Sequence, residues 1–431
     1  MAKLLIKKAT LPSGLVEDIL VDGETIVAVG SDLAAADAKV IDATGLVALP
    51  GLVDLHTHLR EPGFEQSETI LTGSQSAAAG GFTAVHAMAN TSPVQDTAGV
   101  VEQVLALGQA AGYVDVIPVG AVTVGLDGKQ LAELNAMASS KAQVRVFSDD
   151  GKCVHDPVLM RRALEYVKAF DGVIAQHAQE PRLTEGAQMN EGRVSAELGL
   201  TGWPAVAEEA IIARDVLLAE HVGSRVHICH LSTAGSVEIV RWAKARGINV
   251  TAEVTPHHLL LTDELARSYD AVYKVNPPLR TQEDVLALRA ALVDGTIDII
   301  ATDHAPHPHE SKDCEWQAAA FGMLGLEIAA SVAQEVLINS GLSNWERVAQ
   351  VLSINPAQIS RLSNQGQPLK AGSVANIVLI DPKAQRLISS SHSKSQNNPY
   401  SGMSLPGAVV HTLYRGYQTV ENSVLATKGR N

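Results

Sequence analysis

The sequence predicts an α/β protein: a (β/α)8 TIM-like barrel with a small β-sandwich domain formed by the N- and C-terminal segments. Short apolar strand patterns alternate with helix-length segments through the middle of the chain, as in parallel sheets with helical crossovers. Turn-punctuated β segments occupy both ends. No G-x-G-x-x-G turn follows the first central strand, which favours a barrel over an open doubly wound sheet.

Up to about residue 47 the chain reads as L-L-I-K-K-A, I-L-V-D-G-E-T-I-V-A-V-G and V-I-D-A-T-G, with Asp22-Gly23 as a hairpin signal. The same texture returns in A-N-I-V-L-I-D (375–381) and G-A-V-V-H-T-L-Y-R-G (407–416), separated by the polar stretch S-S-S-H-S-K-S-Q-N-N-P. Segments 1–50 and 365–431 are therefore expected to make the β-sandwich, and 51–364 the barrel. Barrel strands are expected at 49–56, 82–88, 115–122, 143–147, 172–177, 225–230, 248–255 and 297–302. Helices are expected at 97–110, 157–170, 205–220, 234–245 and 284–292, followed by a pair at 324–339 and 344–352. Eight such units suit a barrel, whose usual length is about 250 residues before insertions.

A chain of 431 residues is too long for one small core and suits a barrel plus an accessory unit. Hydrophobic residues make up 46% and charged residues 19%, and no apolar run approaches the length of a membrane span, so a soluble protein is expected. The opening M-A-K-L-L-I-K-K lacks the apolar core and cleavage site of a secretory signal, which points to the cytoplasm. A net charge of −14 without a basic cluster argues against nucleic acid and anionic membranes as partners. An anionic substrate would have to be drawn in by local charges. Cys153, Cys229 and Cys314 are too scattered for a disulfide framework or a C-x-x-C zinc site.

Barrel chemistry sits where strands end and loops begin. The first strand runs into D-L-H-T-H-L-R-E-P-G (54–63), where His56 and His58, two residues apart on an extended chain, share one face. The fourth runs into F-S-D-D-G with Asp149 and Asp150, the fifth ends at His177, the sixth at His230 and the eighth at Asp303. One such residue has an ordinary explanation as a cap or loop hydrogen-bonder; five strand ends on the same rim point to a metal centre. Imidazole and carboxylate without thiolate suit Zn²⁺, with Mn²⁺, Co²⁺ or Fe²⁺ compatible. Six ligands exceed the roughly three that one catalytic zinc retains, so two ions are expected. One would take His56, His58 and Asp303 and the other His177 and His230, with a bridging carboxylate and a shared hydroxide.

The set H-T-H-L-R-E-P-G, A-N-T-S-P, F-S-D-D-G, Q-H-A, C-H-L-S-T, V-N-P-P-L-R, A-T-D-H-A-P-H and P-Y-S-G-M resembles the amidohydrolase superfamily, and within it the bacterial type I dihydroorotases. The match covers nearly the whole chain. The resemblance implies a binuclear zinc barrel that reversibly cyclises N-carbamoyl-L-aspartate to dihydroorotate in pyrimidine synthesis. Many relatives bridge their metals with a carboxylated lysine on the fourth strand; this strand end has Asp149-Asp150 instead, and similar dihydroorotases use an aspartate. Asp150 is taken as the bridge, with Asp149 as the alternative and Lys152, past the glycine, as a loop lysine. Two Zn²⁺ against Asp150, Asp303 and a hydroxide leave a net positive site suited to an anion. Asp303 is positioned to shuttle the proton between hydroxide and the departing nitrogen. Arg60, two residues beyond His58, offers a planar fork to the substrate carboxylate. The resemblance adds Asn90 and His307 as co-anchors, and Asn276 and the backbone at Gly322 as ring contacts. His257, His258 and His227 are read as structural or supporting, and the polar segment 307–316 as a mobile cover.

Two other functions compete. Another cyclic amidase, such as a dihydropyrimidinase, hydantoinase or allantoinase, would carry the lysine bridge and would not need the carboxylate clamp. A non-catalytic partner of aspartate transcarbamoylase would have lost ligands, and here all are present. A homo-oligomer, a dimer, and association with aspartate transcarbamoylase belong to the same expectation.

Overall fold

The computed structural model describes residues 3–430; Met1, Ala2 and Asn431, which fall within the expected terminal segments, lie outside the described residues. Eight parallel strands close on themselves. Leu52–Thr57, Phe82–Ala87 and Asp115–Pro118 form one run. Val146–Phe147, Val173–Gln176, Val226–Ile228, Val250–Val254 and Ile299–Ile300 form the other. Parallel bridges between Gly120 and Phe147 and between Thr57 and His304 join the two runs into a barrel. Every residue of the first two strands is buried, as expected of parallel strands covered on both faces.

The expected strand at 49–56 is two strands. Val47–Pro50 pairs with Ile377–Leu387 and, through Val47, with Thr10 in the terminal sheet, whereas Leu52–Thr57 opens the barrel. Gly51 is the break: a Cβ there would lie 2.3 Å from the Thr83 side chain, so only glycine lets the chain cross this closely from one sheet to the other. An apolar run carries no mark of which sheet each half joins.

The terminal segments form one nine-stranded sheet that includes Leu4–Thr10, Val16–Asp22, Thr25–Gly30, Lys39–Asp42, Val47–Pro50, Ile377–Leu387 and Ser404–Tyr414. Leu4, Ile19, Ile26, Ile41, Ile377 and Leu413, from strands spread across this sheet, share one buried cluster. The alternate residues Val378 and Ile380 pack instead into the main barrel core, so the sheet has one face on itself and one on the barrel.

Helices cover the barrel near the expected positions, at Ala98–Ala111, Pro157–Val167, Val206–Val222, Ala234–Ala245 and Gln282–Asp294. The last is capped by reciprocal Thr281 and Asp284 bonds and ends at left-handed Gly295. The helix Ile70–Ala79 was absent from the sequence reading, because I-L-T-G-S-Q-S-A-A-A lacks an apolar period. Its small residues have a packing role: a Cβ at Gly73 would lie 2.5 Å from Leu59, just after the two histidines. Among the described residues, no helix is long and apolar enough to cross a membrane.

Leu55, Val146, Val173, Ala175, Ile299 and Ala301 belong to one buried cluster drawn from several barrel strands. Side chains alternate along a strand, so Val173 and Ala175 lead to His177, directly after the end of its strand. His177 thus continues the parity of that cluster at the C-terminal rim, while Asp150 and Asp303 follow in the turns beyond their strands.

Candidate active site

The structure brings His56, His58, Asp150, His177, His230 and Asp303 together, all buried. Asp150 stands between two groups. Its Oδ2 lies 3.3 Å from His56 Nε2 and 3.2 Å from His58 Nε2, and its Oδ1 lies 3.2 Å from His177 Nδ1 and 3.3 Å from His230 Nε2. Asp303 Oδ1 joins the first group, 3.1 Å from His58 Nε2 and 3.5 Å from His56 Nε2. Asp149 faces away and is saturated by the Val122 and Thr123 N–H groups, at 2.8 and 3.0 Å, and by the Thr123 hydroxyl.

These positions have local causes. Buried Asp54 accepts bonds from His56 N–H at 3.2 Å, the Thr57 hydroxyl at 2.8 Å, Thr302 N–H at 2.9 Å and the Thr302 hydroxyl. It thereby staples the first strand to the eighth and sets Asp303 beside the histidine pair. His230, Asp303 and Arg60 have φ of +31°, +46° and +63°. Such conformations cost a non-glycine residue on the order of 1 kcal/mol each, and they turn these side chains out of strand parity toward the rim.

Burial disfavours charge on His56, but Asp150, Glu253 and Asp303 outweigh it and hold its pKa well above the ordinary value. Burial likewise would raise the Asp303 carboxyl, yet His56 and His58 bring it down to about 2. The donor set fits a metal. His56 Nε2 is buried without a hydrogen bond, and His177 Nδ1 and His230 Nε2 face each other at 2.9 Å, two ring nitrogens converging on one spot. The ligand atoms of His56, His58, Asp150 and Asp303 lie within 4.8 Å of one another, as do those of Asp150, His177 and His230.

Around this cluster lie the expected anion-binding residues. Arg60 Nε donates to the Pro306 carbonyl at 3.2 Å, and its terminal nitrogen is 3.5 Å from His307 Nε2. His307 Nε2 also lies 2.7 Å from the Phe321 carbonyl. Burial, with Arg60 alongside, lowers the His307 pKa to about 3, so the ring is neutral. Asn90 Oδ1 receives His58 Nδ1 at 2.9 Å, which fixes that ring and leaves the amide NH2 beside Gly151. Asn276 Nδ2 donates to Gln179 at 3.2 Å, while its buried Oδ1 has no partner. Gly322 has φ +144°, and a Cβ there would lie 2.8 Å from His307 Nε2.

Three supporting residues escaped the sequence reading. Glu253 takes His56 Nδ1 at 2.6 Å on one oxygen and His227 Nε2 at 3.0 Å on the other. Gln179 takes His177 Nε2 at 2.8 Å, and Asp54 is the staple described above. Glu253 in V-T-A-E-V and Asp54 in L-V-D-L carried a usable signal, an acid in the middle of an otherwise apolar buried strand. Of the other histidines near the rim, His258 bonds to Thr255 and the Pro277 and Pro278 carbonyls, and His257 is buried with its pKa lowered by burial to about 4. The expected mobile cover is anchored in the structure. Lys312 Nζ donates to the Ala271 and Lys274 carbonyls at 3.0 and 2.9 Å, and Lys274 Nζ donates to the Trp316 carbonyl at 2.7 Å.

Known proteins resemble this chain along its whole length. A family described as Dihydro-orotase-like matches residues 45–236. A dihydroorotase of Leifsonia xyli is 68% identical over 428 residues, covering 99% of this chain and 98% of that protein. One of Streptomyces coelicolor is 67% identical over 427 residues, covering 99% and 100%. Among solved structures, an L-hydantoinase (dihydropyrimidinase) from Arthrobacter aurescens superposes with a TM-score of 0.87 at 25% identity, covering 99% of this chain and 98% of that one. Its fold is shared while its sequence has diverged, whereas the full-length identity to the first two is far above what fold alone requires, and on that ground the chain belongs to the dihydroorotase family.

Proposed function

We propose that the chain catalyses the reversible cyclisation of N-carbamoyl-L-aspartate to (S)-dihydroorotate and water, a step of de novo pyrimidine (UMP) biosynthesis. The observation that carries this reading is the pairing of two ligand groups sharing Asp150 with an arginine–histidine pocket directly beside them. His56, His58 and Asp303 would hold one Zn²⁺, His177 and His230 a second, and Asp150 both. When bound, the ions supply positive charge that polarises the ring amide carbonyl and acidifies water.

The chain's own groups do the rest. Arg60 takes the substrate carboxylate through its planar fork, and the neutral His307 and the free amide NH2 of Asn90 complete the clamp. Asn276 and the Gly322 backbone orient the ring. Asp303, ionised at neutral pH, takes a proton from water as the carbonyl is attacked and returns it to the departing ring nitrogen. In the synthetic direction it takes the proton from the carbamoyl nitrogen as the ring closes. Asp150 supports this reading over a lysine-bridged cyclic amidase, because its two oxygens lie against both histidine groups, where such an amidase would place the carboxylated lysine.

The test is ring opening of dihydroorotate beside dihydrouracil, with zinc measured on the same sample. Preference for dihydroorotate is expected, and Arg60→Met should raise its KM about a hundredfold, near 3 kcal/mol for a lost charge-assisted pair. Equal turnover of both rings, or an unchanged KM in Arg60→Met, would refute the reading. The reading extends to a cytoplasmic homodimer that associates with aspartate transcarbamoylase, which size-exclusion chromatography of the chain alone and mixed with that enzyme tests.

A further inference from the structure

The chemistry proposed above leaves the N-N-P-Y-S-G stretch without a role. Asn397, its first residue, lies on the segment that links two strands of the terminal sheet, yet its side chain is buried against the barrel rim. Nδ2 donates to the Ala305 carbonyl at 2.9 Å and to the Gly322 carbonyl at 3.1 Å. Oδ1 accepts His307 N–H at 3.1 Å, and the Asn397 carbonyl accepts Leu324 N–H at 3.1 Å. These four bonds clamp the turn at 305–307 to the turn at 322–324. Pro306, whose carbonyl holds Arg60 Nε, lies between two clamped residues. The two turns meet without slack, since even a methyl group on Gly322 would strike His307.

The segment bearing Asn397 is itself fixed to the barrel. Buried Glu68, just before the Ile70–Ala79 helix, accepts Lys394 N–H at 3.0 Å and the Ser393 hydroxyl. The Ser395 hydroxyl donates to the Ser67 carbonyl at 2.6 Å. Among the described residues, Arg60 has no carboxylate within ion-pairing distance, and its guanidinium is held by the backbone that Asn397 clamps. An amide is the one side chain of this size that supplies two donors and an acceptor in a plane, and all three are used here.

We infer that Asn397 is a positioning residue: the terminal sheet domain reaches over the barrel and, through this amide, sets the spacing of Arg60 and His307 and with it the affinity for an anionic substrate. The inference rests on the proposed function for the identity of that anion. It assigns Asn397 no contact with the reacting atoms. Its loss should therefore weaken substrate binding while leaving metal content and chemistry in place.

The experiment compares the zinc-loaded full chain with Asn397→Ala and Asn397→Ser in dihydroorotate ring opening. Asn397→Ala should raise KM about tenfold or more, with kcat within about threefold and zinc per chain unchanged, the pattern of lost substrate binding. Asn397→Ser, which keeps one hydroxyl and the fold should the alanine variant fail to fold, should fall between. A KM within about twofold of the unsubstituted chain in either folded variant overturns the inference, as does a parallel loss of kcat and zinc at constant KM. An unsubstituted chain that opens no dihydroorotate overturns the proposed function and takes this inference with it; an active one with unchanged variants overturns the inference alone.

Discussion

Glu253→Gln isolates what one buried charge does for the metal centre. The carboxylate lies beneath His56, with Oε1 2.6 Å from Nδ1, and the same oxygen accepts His230 N–H at 3.2 Å. It therefore supports one histidine from each ligand group. Glutamine is close in shape: its amide oxygen can keep both bonds at Oε1, and its NH2 can donate to His227 Nε2, whose other nitrogen lies 2.8 Å from the Thr251 hydroxyl. The packing and the His56 tautomer survive, and only the negative charge that raises imidazole basicity is removed. Partners of this kind are worth tenfold to a hundredfold in metal affinity, so a loss of about 1.4–2.7 kcal/mol is expected. Zinc retained by the purified chain against a chelator of known affinity measures it, with circular dichroism as the check on folding. A retained affinity within about twofold would show that Glu253 merely fills space, and would refute the assignment of His56 as a ligand tuned from behind.

Three further outcomes are expected. Asp150→Asn should strip most of the zinc while Asp149→Asn keeps it and instead loses about 1–3 kcal/mol of unfolding free energy, because Asp149 satisfies three buried donors; the reverse pattern in zinc analysis would make Asp149 the bridge. Asp303→Asn should lower kcat by about a thousandfold or more with the melting temperature little changed, and retained turnover would remove Asp303 from proton transfer. Burial, with Lys274 nearby, lowers the Lys312 amine to about 7, far below its ordinary 10.5. The unfolded chain then holds a proton that the native state releases between those values, so this lysine makes stability rise with pH from about 7 to 10. Lys312→Met should flatten that slope in denaturant titrations across the same range, and an unchanged slope would place the amine in water.

Much of the site could be read from residue order because barrel geometry converts strand ends into neighbours. His56, His58, His177, His230 and Asp303 needed only their places at strand ends and the rule that chemistry gathers on one rim. The choice between Asp149 and Asp150 could not be read this way. Adjacent residues point to opposite sides, and only the turn after Phe147 decides which carboxylate meets the histidines and which meets Thr123. The helix at Ile70–Ala79 was unreadable for a different reason: after Ile70 its burying face is made of glycine, serine and alanine that allow close approach, so it leaves no hydrophobic period.

Local chemistry and period thus determine the barrel, the terminal β segments and the ligand types, since each follows from side chains a few residues apart. Contacts between residues 75 to 248 positions apart were decided by the folded chain alone. Asp54 binds Thr302, Glu253 binds His56, and Asn397 binds Ala305 and Gly322. These bonds form only after the barrel closes and the terminal sheet folds against it, because no local pattern records which distant donor a buried acceptor will meet.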